Sequence, residues 1–160
     1  MIDPRNVDYH AIARRGDTDA MQVFLEDGLD PDRRDDRGYT LLTIAAYNDQ
    51  RAMVDLLLRH GADADGQDAS GNTPVMGACF KGYGEMVERL LDAGADPNVR
   101  NGAGATPLMM AAMFNRPELA RLLRERGADP AATDARGLTA ADLARAHGNA
   151  GLAEELAPPG

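Results

Sequence analysis

The stretch Thr73–Asp96, TPVMGACFKGYGEMVERLLDAGAD, contains the signals that decide the fold. Thr73 is a favourable helix N-cap, and Pro74 suits the first position of a helix. Gly82 tolerates a positive φ, so it predicts a left-handed turn that ends this first helix. Apolar residues then recur at helical spacing until Gly94, which predicts a second helix. The stretch therefore predicts two short helices joined by a tight turn.

The same signals recur along the chain with a period of 33 residues. Threonines fall at positions 40, 73, 106 and 139, glycines at 28, 61, 94 and 127, and alanines at 45, 78, 111 and 144. The turn position reads Gly16, Asp49, Gly82, Asn115 and Gly148, all of them residue types that tolerate a positive φ. Segments rich in Asp, Asn and Gly separate the helix pairs and predict hairpin-like turns. A period of this length marks a stacked-repeat architecture.

The segment 68–98, DASGNTPVMGACFKGYGEMVERLLDAGADPN, closely resembles the ankyrin repeat. The resemblance covers nearly all of the chain, taken as one domain, 1–160, with repeats at 5–35, 36–68, 69–101, 102–134 and 135–157. It implies an all-α solenoid of about five stacked helix-turn-helix units with projecting hairpins. It also implies that the chain has no cofactor of its own and binds other proteins.

One position departs from the family pattern. The family carries His in its Thr-Pro-Leu-His tetrapeptide, and that position here reads His10, Thr43, Met76, Met109 and Asp142. The hydrogen bonds that the family builds between repeats with this His are therefore expected to be largely missing. The next position, which includes Met110, resembles the inner core position of the family.

The resemblance also indicates a binding surface. In the family, the two residues before the turn between the helices face the concave groove and often contact partners. Exposed aromatic and Met side chains suit such a surface, because they offer large and adaptable contact area. The alternative is that these side chains simply cover one another and the inner helices. The expected protein-binding residues are Tyr39, Tyr47, Met76, Phe80, Lys81, Met109, Met113 and Phe114.

Charge and composition exclude several other classes of protein. The 17 basic and 26 acidic residues give a net charge of −9, which argues against a nucleic-acid partner and favours basic or neutral proteins. There is no apolar run of about 18 residues that could cross a membrane. The N-terminal sequence lacks a secretory signal, and Cys79 is the single cysteine, so a cytoplasmic location is expected.

Candidate chemistry is sparse. His10, His60, His147 and Cys79 fall in four different repeats, so no pair has the spacing of metal ligands. Cys79 occupies a position where other repeats have Ala, which indicates a small buried residue rather than a nucleophile. We therefore expect no catalytic residue, no metal and no cofactor.

The leading interpretation is a non-catalytic scaffold or inhibitor that binds one unidentified protein in its concave groove and is itself a monomer.

Two alternatives stay open at this point. The chain resembles small ankyrin proteins that bacteria often encode beside catalases, which implies an accessory factor for a catalase or another haem or peroxide-stress enzyme. Tyr47, Met76 or Met109 would then contact haem, and His10 or His147 could ligate it. The other alternative is a neutralising partner of a basic toxin or effector, which the acidic charge would attract.

Overall fold

The computed structural model describes residues 3–159 and contains ten α-helices within them. A short 3-10 helix, Pro4–Asn6, precedes them. The helices are α1 (Tyr9–Arg15), α2 (Thr18–Glu26), α3 (Leu41–Tyr47), α4 (Arg51–Arg59), α5 (Pro74–Lys81), α6 (Gly84–Asp92), α7 (Pro107–Met113), α8 (Pro117–Glu125), α9 (Ala140–Ala146) and α10 (Ala150–Leu156). This succession of five helix pairs confirms the expected all-α repeat solenoid.

The helices form two layers. The inner helices α1, α3, α5, α7 and α9 pack side by side in chain order, and each also packs against the outer helix that follows it. The outer helices are α2, α4, α6, α8 and α10. The core lies between the layers, where the methionines Met21, Met53 and Met86 of successive outer helices are fully buried. No helix among residues 3–159 is long and apolar enough to cross a membrane.

The repeated threonines and turn residues set the helix ends. The hydroxyls of Thr40, Thr73, Thr106 and Thr139 each accept a hydrogen bond from the backbone N–H three residues later. These bonds satisfy a donor that the first turn of a helix leaves free. Every residue of the turn position has a positive φ, including Asp49 at 54° and Asn115 at 51°. Both sequence predictions are therefore confirmed.

The loops between repeats are regular hairpin-like turns. Asp35, Asp68, Asn101 and Asp134 each accept hydrogen bonds from the backbone N–H groups two and four residues later. Successive turns are also joined, because the Gly102 N–H donates to the Ser70 carbonyl at 2.9 Å. The Ala135 N–H donates to the Ala103 carbonyl at 3.0 Å in the same way. The turns thus form a continuous stack beside the inner helices.

At the position where the family carries His, only one of the side chains described next, that of His10, forms a hydrogen bond to a neighbouring repeat. His10 is buried, and its Nε2 lies 2.9 Å from the carbonyl oxygen of Tyr39 in the next repeat. Thr43 and Asp142 instead bond within their own repeats, to Thr40 and Thr139. Polar side chains at this position therefore mainly hold the start of their own helix.

Candidate functional site

Three aromatic side chains form a row across successive repeats, which we call the aromatic ladder: Tyr47, Phe80 and Phe114. Each lies at the C-terminal end of an inner helix. The Tyr47 and Phe80 rings stack with centroids 6.2 Å apart, and the Phe80 and Phe114 rings meet edge to face at 4.8 Å. All three stay partly open to solvent, with 41%, 39% and 39% of their surface exposed. The sequence prediction had placed these residues on one surface, and the structure brings their rings into contact.

Lys81 and Met113 lie beside the ladder but differ in exposure. The Lys81 ammonium lies 4.9 Å from the centroid of the Tyr47 ring, a cation–π distance, and 5.9 Å from that of Tyr83. Lys81 is exposed, whereas Met113 is half-buried and packs against the core. The cation therefore adds to the accessible surface, whereas Met113 mainly takes part in core packing.

Two methionines expected on the binding surface lie instead in the core. Met76 and Met109 are fully buried, so neither side chain can reach a partner. Both lie three residues after a capping threonine, and their backbone N–H groups donate to the hydroxyls of Thr73 and Thr106. There the Met109 sulfur accepts a hydrogen bond from the Thr106 N–H at 3.5 Å. Met110, expected in the core, is half-buried and faces the groove, because adjacent residues on a helix point about 100° apart.

A cavity of about 650 Å³ opens on the groove side of the first four repeats. Its apolar wall includes two rings of the ladder, Tyr47 and Phe80, and the half-buried Tyr39. Ile44, Gly77 and Met110 also line the cavity, although they were not among the residues expected to bind a partner. One signal could have found them: these equivalent positions read Ile44, Gly77, Met110 and Leu143, so one repeat lacks a side chain where its neighbours have a large one.

The charged groups around the cavity differ in how they are held. Asp35 and Asp68 line it, but one oxygen of each carboxylate accepts two backbone N–H groups of its turn. Arg14 and Arg37 also line it, and neither makes an ion pair with any residue between 3 and 159. The cavity therefore combines two guanidinium groups that form no ion pair within residues 3–159 with two carboxylates whose orientation is fixed by their turns.

The histidines and the cysteine have structural surroundings. His10 is bonded to the Tyr39 carbonyl, and His147 Nδ1 lies 2.8 Å from the Leu143 carbonyl oxygen; neither lines the cavity. Burial raises the pKa of the Cys79 thiol to about 12, so the reactive thiolate is disfavoured. Within the described chain, no three His, Cys, Asp or Glu side chains lie close enough to hold a metal ion. The exposed rings of the ladder and the cation of Lys81 beside them suit contact with another molecule.

Two family models match this sequence, one for ankyrin repeats (3 copies) over residues 9–101 and one for ankyrin repeats (many copies) over residues 90–144. The chain belongs to the ankyrin-repeat family. Ankyrin repeats generally mediate protein–protein interactions, and the family typically consists of non-catalytic interaction modules. A search of curated proteins found no match to this ankyrin-repeat chain.

Proposed function

We propose that this ankyrin-repeat chain is a non-catalytic protein-binding module that holds one partner protein on its concave groove, with the aromatic ladder at the centre of the contact. The observation that carries the proposal is the partial exposure of three touching rings on three successive repeats. Aromatic side chains are enriched among the residues that contribute most to binding. Lys81 adds a cation beside Tyr47 that a polar or acidic group of the partner can approach.

The remaining exposure of the ladder indicates how much it can contribute. If an aromatic side chain offers about 200 Å², the exposed two fifths of three rings amount to roughly 240 Å². At about 25 cal/mol per Å², covering this area would yield roughly 6 kcal/mol before the costs of association. Those costs are of similar size, about 4–15 kcal/mol. The ladder can therefore anchor a complex but needs a wider rim of contacts around it.

A pull-down with matched variants tests this proposal. The baits are the wild-type chain, a variant with Phe80→Asp and Phe114→Asp, and a control with Val23→Asp. Val23 lies on the outer helix α2 and is 55% exposed, so the control makes the same kind of change outside the ladder. Proteins retained from a lysate of the source organism are identified by mass spectrometry. Circular dichroism checks that all three baits are folded.

The proposal predicts a protein that wild type and Val23→Asp retain and the ladder variant loses. Retention by all three baits would move the contact to another face and overturn the proposal. Loss with both variants would show that the ladder has no special part in binding.

A further inference from the structure

The floor of the groove cavity contains a gap that the fold does not require. Gly77 lies inside helix α5, where glycine lowers helix stability relative to alanine. Its φ is not positive, and a Cβ added there would meet only Tyr47 Cδ2, at an ordinary 3.6 Å. The neighbouring repeats carry Ile44 and Met110 at the equivalent position. Neither backbone conformation nor lack of space therefore explains the glycine.

The missing side chain shapes the cavity. Gly77 lies on its floor, the side chains of Ile44 and Met110 from the neighbouring repeats line it on either side, and the Tyr47 and Phe80 rings belong to its apolar wall. We call the space over Gly77 the notch. A notch with this lining suits a large apolar side chain, because such a side chain removes apolar surface from water on every side.

Charges at the cavity indicate what should accompany that side chain. The Arg14 and Arg37 guanidinium groups make no ion pair within residues 3–159, whereas Asp35 and Asp68 are held by their turns. Arginine binds carboxylates through paired hydrogen bonds. Arg14 and Arg37 can therefore each pair with a carboxylate of a partner, although two Asp carboxylates also line the cavity and the chain as a whole has a net charge of −9.

We propose that the notch over Gly77 receives one large apolar side chain of a partner protein segment, and that a neighbouring Asp or Glu of this segment pairs with Arg14 or Arg37. This inference rests on the proposed function and specifies the partner's chemistry. It also differs from the expectation of a basic toxin or effector, because such a partner would bring further positive charge to the two arginines.

Peptide selection tests the proposed chemistry without a known partner. A phage-displayed random peptide library is selected on the full chain, and the enriched peptides are synthesised with a fluorescent label. Their affinities are measured by fluorescence anisotropy on wild type and on Gly77→Leu, which fills the notch with a residue that Leu143 provides at the same position of a later repeat. A second variant with Arg14→Gln and Arg37→Gln removes the cations, and Val23→Asp is the control.

The expected enriched peptides carry a large apolar residue next to Asp or Glu. Gly77→Leu should weaken their binding about tenfold or more, and the double arginine variant several-fold. The control should bind like wild type. Gly77→Ala serves as a milder filling of the notch should Gly77→Leu fold poorly, and it should weaken binding to a smaller extent.

Other outcomes overturn the inference, and they separate it from the proposed function. Enrichment of basic peptides would refute the pairing of an acidic residue with Arg14 or Arg37. Equal binding to wild type and to the folded notch variants would exclude the notch as the binding site. If the Phe80→Asp and Phe114→Asp variant loses these peptides while Gly77→Leu keeps them, the groove function stands and the notch proposal fails. If neither change affects binding, both proposals fail.

Discussion

Two Gly→Ala substitutions in the same repeat should change stability in opposite directions. At Gly77 the backbone is helical and the new methyl group meets Tyr47 at 3.6 Å, so the helix propensity of alanine should raise the free energy of unfolding by about 1 kcal/mol. At Gly82 the backbone has a φ of 78°, and the new Cβ would lie 2.9 Å from Arg116 Cζ. There the left-handed conformation should lower the free energy of unfolding by about 1–2 kcal/mol.

Urea denaturation followed by far-ultraviolet circular dichroism measures both changes. Repeat arrays can unfold in more than one step, so the whole curves of the two variants are compared with that of wild type, together with their slopes. The reasoning is refuted if Gly77→Ala lowers stability, or if Gly82→Ala leaves it unchanged. A gain at Gly77 would also show that the glycine is kept at the expense of stability, as binding sites often are.

Three further experiments test the burial of Met109, the burial of Cys79 and the effect of the Asp65 charge on stability. Met109→Ala should lower the free energy of unfolding by about 3 kcal/mol because this side chain is fully buried. Met113→Ala should lower it by less than about 1 kcal/mol because Met113 is only half-buried. Equal losses in urea denaturation would contradict the placement of Met109 in the core. Cys79 should react with Ellman's reagent only when the chain unfolds, because it is buried and its thiol pKa is raised to about 12; rapid labelling of the folded protein would show an accessible thiol. Burial raises the pKa of Asp65 in the folded protein above its ordinary value of 3.8. The ionised carboxylate therefore lowers the free energy of unfolding when the pH is above the raised pKa. Well below pH 3.8 the carboxyl group is protonated in both the folded and the unfolded chain, and this contribution disappears. Asp65→Asn should therefore stabilise the protein by about 0.5 kcal/mol near neutral pH, and thermal unfolding should show the gain fading as the pH falls toward that value; a gain that grows on acidification would contradict the sign.

The fold could be predicted from the sequence because its signals are local and repeated. A capping threonine, a turn residue with positive φ and a helical apolar pattern each act within a few residues, and the period shows where they recur. The repeat pattern also placed Tyr47, Phe80 and Phe114 near the ends of inner helices, although Phe114 lies one residue beyond the position equivalent to the other two and the contact between the rings could not be predicted.

The orientation of individual side chains could not be predicted in the same way. Whether Met109 or Met110 faces the core depends on a rotation of about 100° around one helix, which the family pattern did not resolve for a methionine in place of histidine. The notch was missed for another reason. It arises because Gly77 lies between larger side chains of two neighbouring repeats, and such an absence is visible only when the three are placed side by side.

The hydrogen bonds between hairpin turns connect each repeat only to its neighbour, as those from Gly102 to Ser70 and from Ala135 to Ala103 do. Duplication or loss of one whole 33-residue unit would therefore recreate a junction of the same kind, and a gene for such a chain can change length in these steps without a new fold. The two parts of the proposed binding surface, the aromatic ladder and the notch, would respond differently to this kind of evolution. An added repeat would lengthen the row of rings only if it carried an aromatic residue at this place, whereas the notch needs the repeats of Ile44, Gly77 and Met110 in their present order.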